Sequence, residues 1–502
     1  MNRTILELLE ETAEKHKDKI IYEDINKRDT YSEYINICKK IGTGILEKIG
    51  TIKKPIGIFI DRSVPCLETM MGVSYSGNYF VVLDTKSPKE RNELIINSLP
   101  DISIIVEEKN LKKIEELNFN GNLLIYENLL KNKVNQEKLD EIRDKIIDTD
   151  PMYMQFTSGS TGVPKGIVIC NRSVISYAYN IKRTFKIDEN TIFGNEPPFY
   201  FSMSTLEIYT TMISGATMHI IPKMYFSFPI KLLEFLKEKC INTIYWVPSI
   251  LCIVANMKAL DAIDLPDLKK VLFAGEVMPT KQLNIWIKHF PNAMFANLCG
   301  PTEITDICTY YIVDRKFRDD ESLPIGKACY NCDVLILKED GTEAKEGEEG
   351  ELCVRGSFLA LGYYNNPEKT SQAFVQNPLN NSYPEIIYKT GDLVKRNERG
   401  EILYISRKDF QIKHMGYRIE LGEIETAISS IEGIITCACV YDMQNKKIVL
   451  FYQGKEIDEK ELLIKAKNKL PNYMCPNDIR KLDRMVYNAN GKIDKNKLKK
   501  LI

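Results

Sequence analysis

Histidine is scarce in this sequence. His16, His219, His289 and His414 are widely spaced and make no HxxxH pair. A protein-bound zinc site of that kind is therefore not expected. Net charge is almost absent as well, with 68 basic against 69 acidic side chains. That balance leaves no electrostatic footprint for nucleic acid or an acidic membrane surface. No apolar run approaches the about 20 residues needed to cross a bilayer. The opening stretch MNRTILELLEETAEKHKDK interrupts its apolar positions with charge. It reads as an amphipathic helix and not as a signal peptide, so a cytoplasmic protein is expected. The thirteen cysteines are odd in number and scattered, and are expected to be reduced and buried. The CxxC at Cys329–Cys332 has no second pair near it, and no metal or redox role is assigned to it.

Hydrophobic residues make up 44% of the 502 positions, enough for large buried cores in two or three domains. Apolar runs such as IGIFIDRS, YFVVLD, ISIIVEE, NLLIYE, ATMHIIP, TIYWVP and KKVLFAG predict short strands. Helical patterns such as CLETMMGVSYSG and FPIKLLEFLKEKC separate most of them. This alternation predicts an α/β fold whose large N-terminal domain layers mostly parallel sheets and helices. After about residue 320, Asp-Gly and Glu-Gly turns between β-rich runs predict an antiparallel subdomain. From Asp409 the pattern changes again. GEIETAISSI and EKELLIKAKNKL read as helices, TCACVYD and KIVLFYQG as strands. The domains are therefore set at residues 1–408 and 409–502, the second a small α+β unit.

The stretch QFTSGSTGVPKGIVI, residues 155–169, crowds hydroxyls and glycines into one loop. A Walker loop requires a lysine directly after its second glycine. Here Gly162 is followed by Val-Pro-Lys165, so this is not one. Phosphate binding remains possible chemistry, because glycines let backbone N–H groups face an anion and hydroxyls add donors.

Other motifs follow in order: NLCGPTE (297–303), YKTGDL (388–393), SRKDFQIKHMGYRIELGEIE (406–425) and NGKIDK (490–495). Weaker ones are TYSEY, FAGE and ELCVRGSFLALGYY. Together with TSGSTGVPKG they resemble the adenylate-forming superfamily of acyl-CoA synthetases, luciferases and non-ribosomal peptide synthetase adenylation domains. The likeness spans essentially the whole chain and is closest in texture to stand-alone enzymes such as D-alanine–carrier protein ligase.

The resemblance implies an ATP- and Mg²⁺-dependent ligase. A carboxylate attacks the α-phosphorus of ATP, giving an acyl-adenylate and pyrophosphate, and a thiol then displaces AMP. Thr157, Ser158, Gly159, Ser160, Thr161, Gly162 and Lys165 are implied to hold the departing phosphates. Thr302 is implied to bond the α-phosphate and Glu303 to hold the metal. Gly275, Glu276, Asn297, Cys299 and Gly300 fall in nucleotide-side motifs. Asp392 and Arg407 are implied to hold the ribose. Lys492 is implied to bridge substrate and nucleotide in the first step. The C-terminal domain is implied to be mobile, with a hinge at Asp409 and Gly416 facing a thiol tunnel in the second step. Cys299 stands where an aromatic often stacks on adenine, which implies weaker nucleotide binding. Met415 stands where an arginine is common and is given no role.

The IELGEIE and NGKIDK forms point to a phosphopantetheinylated carrier protein as thiol donor. No carrier-type serine motif follows, so the carrier is expected in trans. An acyl- or aryl-CoA ligase is the alternative, and a non-catalytic nucleotide-binding paralogue is the alternative from another class. α-Amino-acid enzymes of this family place an Asp in a Phe-Asp-x-Ser stretch. Here that stretch reads Phe201-Ser202-Met203-Ser204. A neutral hydroxyl cannot replace a carboxylate beside a desolvated ammonium without a cost of several kcal/mol. The same alignment puts Leu206, Trp246, Leu272, Ala274, Leu298, Asp306 and Ile307 in the substrate pocket with Phe201, Ser202 and Met203. A largely apolar lining with Trp246 and the acid Asp306 favours a hydroxylated aryl acid such as 4-hydroxybenzoate. A β- or distal-amino acid, or D-alanine, is the alternative.

Overall fold

The alternating strand and helix patterns fold into two twisted sheets flanked by helices. The computed structural model describes residues 3–159, 163–408, 411–487 and 493–502. Among the described residues the first sheet has nine strands. Met294–Cys299, Lys270–Phe273, Thr243–Trp246, Ile192–Asn195, Thr217–Ile220 and Ile20–Glu23 run parallel in that spatial order, with antiparallel strands at both edges. The second sheet has seven. Its parallel core is Pro151–Thr157, Tyr79–Val82, Pro55–Phe59, Ser103–Val106 and Leu123–Ile125. Lys165–Cys170 adds to it antiparallel to Pro151–Thr157. The apolar runs singled out in the sequence lie in these strands because both faces of each sheet are covered.

One large apolar cluster joins both sheets to the helices between them, including Ile5–Lys15, Tyr31–Lys48 and Val64–Tyr75. A second cluster covers the other face of the first sheet. The β-rich segment after residue 320 forms a five-stranded antiparallel sheet from Cys332–Leu337, Glu349–Gly356, Phe374–Gln376, Ile386–Arg396 and Ile402–Arg407.

Beyond it, the hairpin Gln411–His414 and Tyr417–Glu420 precedes the helix Leu421–Ser429. Ile434–Asp442, Lys447–Gly454 and Asp478–Lys481 form a three-stranded sheet with its own core. Met415 and Gly416 turn the hairpin with φ of 52° and 78°. Positive φ at both central residues suits a right-twisted two-residue hairpin, normally Asn-Gly. The expected hinge, Asp409, lies outside the described residues.

All thirteen cysteines are free, including the Cys329–Cys332 pair. Among the described residues no helix is long and apolar enough to cross a membrane.

Candidate active site

The carboxyl ends of the parallel strands converge on one cleft with about 820 Å³ of unfilled space, part of it open to solvent. Such ends are where open α/β sheets bind ligands. Pro151–Thr157 delivers Thr157, Ser158 and Gly159 to its rim. The antiparallel ladder pairs Thr157 with Lys165, so both ends of the glycine-rich loop start from fixed positions. A Cβ on Gly159 would stand 2.0 Å from the Val163 carbonyl oxygen, so only glycine fits there. The Thr157 hydroxyl is buried and has no hydrogen-bond partner among the described residues. Ser160, Thr161 and Gly162 lie outside the described residues, as does Lys492.

Met294–Cys299 enters from the other sheet and ends at Gly300, Pro301 and the short turn Thr302–Ile304. Gly300 is also forced, because a Cβ would meet Ile307 Cα at 2.5 Å. Thr305 then adopts φ 74° and ψ −58°, and the Asp306 N–H donates to the Ile304 carbonyl at 2.9 Å. That is a tight three-residue γ-turn, strained for a β-branched residue at a cost of about 1–3 kcal/mol. The Thr305 hydroxyl donates to the Phe358 carbonyl at 2.9 Å and anchors the turn.

The turn separates two buried acids. Glu303 accepts from the Tyr363 hydroxyl at 2.8 Å and pairs with Arg418 at 2.6 Å. Burial would raise its pKa, but Arg418, Lys165 and Tyr363 outweigh that and hold it at about 2. Asp306 accepts from Tyr177 at 2.6 Å and Tyr245 at 3.1 Å, both at Oδ2. Burial pushes its pKa up to about 7 against those two hydrogen bonds. Lys165 is lowered, first by its own burial and then by the nearby Arg418 charge.

Asp392 and Arg407 face each other across antiparallel strands, their charged atoms 2.9 Å apart. Both line the cleft. Asn297 is tied by its side-chain amide to the Pro324 carbonyl at 2.8 Å. The Cys299 thiol is buried, which raises its pKa. Glu276 accepts from the Ser249 hydroxyl and from the Gly416 N–H, each at 2.5 Å. Gly275 and Gly416 come together at the same place. A Cβ on Gly275 would lie 3.6 Å from Gly416 Cα, and one on Gly416 would lie 2.3 Å from Val247 Cγ1.

Of the expected pocket, Phe201, Ser202, Met203, Ala274 and Asp306 line the cleft, with the Thr302 hydroxyl 3.3 Å from that of Ser202. Leu206, Leu272, Leu298 and Ile307 do not line it. They are buried in the large cluster beneath. Trp246 is a correction. It belongs to the second cluster on the far face of the sheet, donates to the Gly194 carbonyl at 2.8 Å and packs edge-on against Phe226. Side chains alternate along a strand, so a one-residue slip moves a position to the opposite face. Tyr245 holds the near side and meets Asp306.

Sequence reasoning missed Tyr177, Tyr245, Arg91, Tyr417, Arg418 and Tyr473. Arg418 and Tyr417 sit inside the GYRIE motif, so a signal was present. Arg91, Tyr177 and Tyr473 lie outside every motif. Tyr417 stacks on Tyr473 at 3.5 Å and meets Phe201 edge-on at 4.9 Å, carrying the C-terminal hairpin into the cleft.

Comparison with known proteins agrees with this geometry. A family model described as AMP-binding enzyme matches residues 9–364. Zwittermicin A synthase ZmaJ of Bacillus cereus is 29% identical over 490 residues, covering 95% of this chain and 90% of that protein. The D-alanine–D-alanyl carrier protein ligase of Bacillus cereus strain G9842 is 29% identical over 511 residues, covering 98% of each. Among solved structures, holo-PA1221, described as an NRPS protein containing adenylation and PCP domains, superposes with a TM-score of 0.85. It is 22% identical and covers 100% of this chain and 84% of its own. The chain therefore belongs to the AMP-binding enzyme family and is an adenylate-forming ligase.

Proposed function

We propose that this ligase activates a small carboxylic acid with ATP and passes it to the phosphopantetheine thiol of a carrier protein. In the first step a carboxylate oxygen bonds the α-phosphorus and the α–β phosphoanhydride bond breaks, releasing pyrophosphate. In the second the thiol, giving up its proton, forms a C–S bond with the acyl carbon, and the C–O bond to AMP breaks. Anion meets anion in the first step, so catalysis depends on aimed cations and donors.

Thr157, Ser158, Gly159, Ser160, Thr161, Gly162 and Lys165 take the phosphates in this reading, with Thr302 at the α-phosphate. The Thr157 hydroxyl, buried without a partner among the described residues, supports it. Gly275, Glu276, Asn297, Cys299 and Gly300 flank the nucleotide. Asp392 and Arg407 take the ribose. Magnesium fits Glu303, which is ionised at any physiological pH. No cluster of three or more His, Cys, Asp or Glu side chains able to hold a metal exists among the described residues. The ion's remaining ligands would be phosphate oxygens and water, its usual set. When bound, magnesium offsets phosphate charge. Lys492 bridges the reactants in the first step. A hinge at Asp409 then exchanges it for Gly416, beside which the thiol arm enters.

The observation that carries the substrate reading is Asp306 at the cleft wall, held by two tyrosines, with no carboxylate at Ser202. The acid therefore lacks an α-ammonium and carries a hydrogen-bond donor away from its carboxylate. Without Trp246 in the lining the case for a stacked ring weakens, and a β- or distal-amino acid becomes the first reading. Phe201 and Met203 keep a hydroxylated aryl acid such as 4-hydroxybenzoate as the second. ATP–pyrophosphate exchange across a panel of acids tests both. D- or L-alanine as best substrate would overturn the role given to Ser202. Mass spectrometry of a carrier beside free CoA tests the acceptor, and acylation of CoA alone would replace the carrier reading. Absence of exchange with every acid would leave a nucleotide-binding protein.

A further inference from the structure

The CxxC segment sits against the helix that supports Asp306. The Cys332 N–H donates to the Cys329 carbonyl at 3.2 Å, closing a four-residue turn with Asn331 at φ 63°. Positive φ at the third position is what a type II turn requires, and asparagine tolerates it. One helix, Asn171–Thr184, clamps the turn. Its Asn180 Oδ1 accepts from the Tyr330 N–H at 2.8 Å, and its Ser176 hydroxyl oxygen accepts from Asn331 Nδ2 at 2.7 Å. Its Arg183 guanidinium lies 4.2 Å from the Tyr330 ring centre. Those three residues are spaced i, i+4 and i+7 and share one helix face. Tyr177, the donor to Asp306, precedes Asn180 by about one turn of the same helix.

Both cysteines of the turn meet one carbonyl. Cys308, two residues after Asp306, accepts at its carbonyl from the Cys329 N–H at 2.8 Å, and Cys332 Sγ lies 3.9 Å from the same oxygen. A hydrogen-bonded turn holds its end residues within about 7 Å, the Cα separation that a disulfide can bridge. Cys332 is half-buried and reachable from solvent, whereas Cys329 is buried. Burial raises the Cys329 pKa, the nearby Cys332 adds to that, and the Asn180 side chain opposes it. Asn180 is fully buried, and its Nδ2 has no hydrogen-bond partner among the described residues. An amide donor without an acceptor suits a sulfur that takes on negative charge. Burial also pushes the Cys332 pKa up to about 12. Both thiols are therefore protonated at neutral pH, and attack by either is slow. The same burial favours the oxidised product, because a disulfide has no charge to desolvate. Among the described residues no three His, Cys, Asp or Glu side chains are placed to hold a metal, which leaves two-thiol chemistry.

We propose that Cys329 and Cys332 form a dithiol–disulfide site, in which Cys332 reacts first with a low-molecular-weight disulfide and Cys329 resolves the product. The Cys332 sulfur, giving up its proton, bonds one sulfur of the reagent, and the reagent's S–S bond breaks. The Cys329 sulfur, giving up its proton, then bonds the Cys332 sulfur, and the mixed disulfide breaks. Each departing thiolate takes up a proton. The two protein thiols are oxidised by two electrons, and the reagent is reduced to two thiols. This chemistry is independent of the ligase reading.

The test uses the full chain and oxidised glutathione. The protein is equilibrated across a series of ratios of oxidised to reduced glutathione, free thiols are alkylated, and peptides are mapped by mass spectrometry. The segment 329–332 is expected to lose two hydrogen atoms and to escape alkylation. Its rate of oxidation should rise about 10-fold per pH unit, as a thiol far below its pKa requires. Cys329→Ser is expected to stop at a glutathione adduct on Cys332, and Cys332→Ser to leave Cys329 unmodified. A Cys308–Cys332 link, an adduct that persists on Cys332 in the wild-type chain, or no loss of hydrogen at any ratio would each overturn the proposal. An adduct on Cys329 in Cys332→Ser would overturn the order of attack and the proposal with it. Mapping the wild-type chain needs no variant to fold.

Discussion

The Tyr177 hydroxyl donates to Asp306 Oδ2 across 2.6 Å, although 129 positions separate the two residues in the chain. The acceptor is a buried acid whose pKa stands at about 7. Its proton is therefore a conditional part of the folded state. The unfolded chain releases it near 3.8, while the folded protein keeps it to about 7. Between those values the folded state binds the extra proton, so this contribution is whole below about pH 4 and is lost as pH rises through 7. Asp306→Asn keeps an acceptor oxygen and cannot titrate. Relative to wild type the variant gains stability with rising pH, by up to ~1.4 kcal/mol per unit. Urea unfolding of both proteins at the two ends of this window checks it, and a constant gap would contradict it.

Neighbouring residues on one strand give opposite outcomes. Trp246→Phe leaves a void and an unpaired Gly194 carbonyl on the far face of the sheet, costing about 1–3 kcal/mol of stability. It leaves the preference among acids as it was. Tyr245→Phe removes a donor from Asp306 and changes kcat/KM between acids by an amount equivalent to ~1–3 kcal/mol. Melting temperatures together with exchange rates on two acids distinguish them, and the reverse assignment would return Trp246 to the pocket.

Gly416→Ala meets two obstacles at once, a φ of 78° and a contact of 2.3 Å with Val247. The strain, about 1–3 kcal/mol, falls on the arrangement in which Gly416 touches Glu276 and Gly275. Thioester formation should fall more than pyrophosphate exchange. Equal losses, measured on the separate half-reactions, would detach Gly416 from the second step.

Lys492→Ala is expected to lower adenylation by ~10²-fold or more, the scale of losing one charge-stabilising group. Transfer from preformed adenylate should hardly change. Comparable loss in both half-reactions would remove the domain exchange from the mechanism.

The sequence was most legible where backbone approaches backbone. Gly159 and Gly300 admit no Cβ, so their motifs had to be spelled with glycine. Strand positions were legible for a similar reason, since mostly apolar residues fill a sheet covered on both sides. That same covering hid the parity of Thr243–Trp246, where every residue is buried and no exposed position marks a face. Partners distant in sequence were hidden as well. Nothing local ties Arg91 to Glu423 or Tyr177 to Asp306, because those pairs exist only once the sheets have assembled. The γ-turn at Thr305 was hidden for another reason: a threonine is among the last residues expected at positive φ.

That turn fixes a length. Glu303 and Asp306 are three residues apart and are joined by a strained, anchored backbone with little freedom to stretch. In the proposed reaction one marks the phosphate end and the other the far end of the acid. The enzyme then measures its substrate with a ruler whose two marks are cut on a single piece. Reshaping the pocket from inside this turn would move both marks together. A longer or shorter acid is better accommodated by lining residues outside the turn, such as Ser202 or Ala274, where the scale is not engraved.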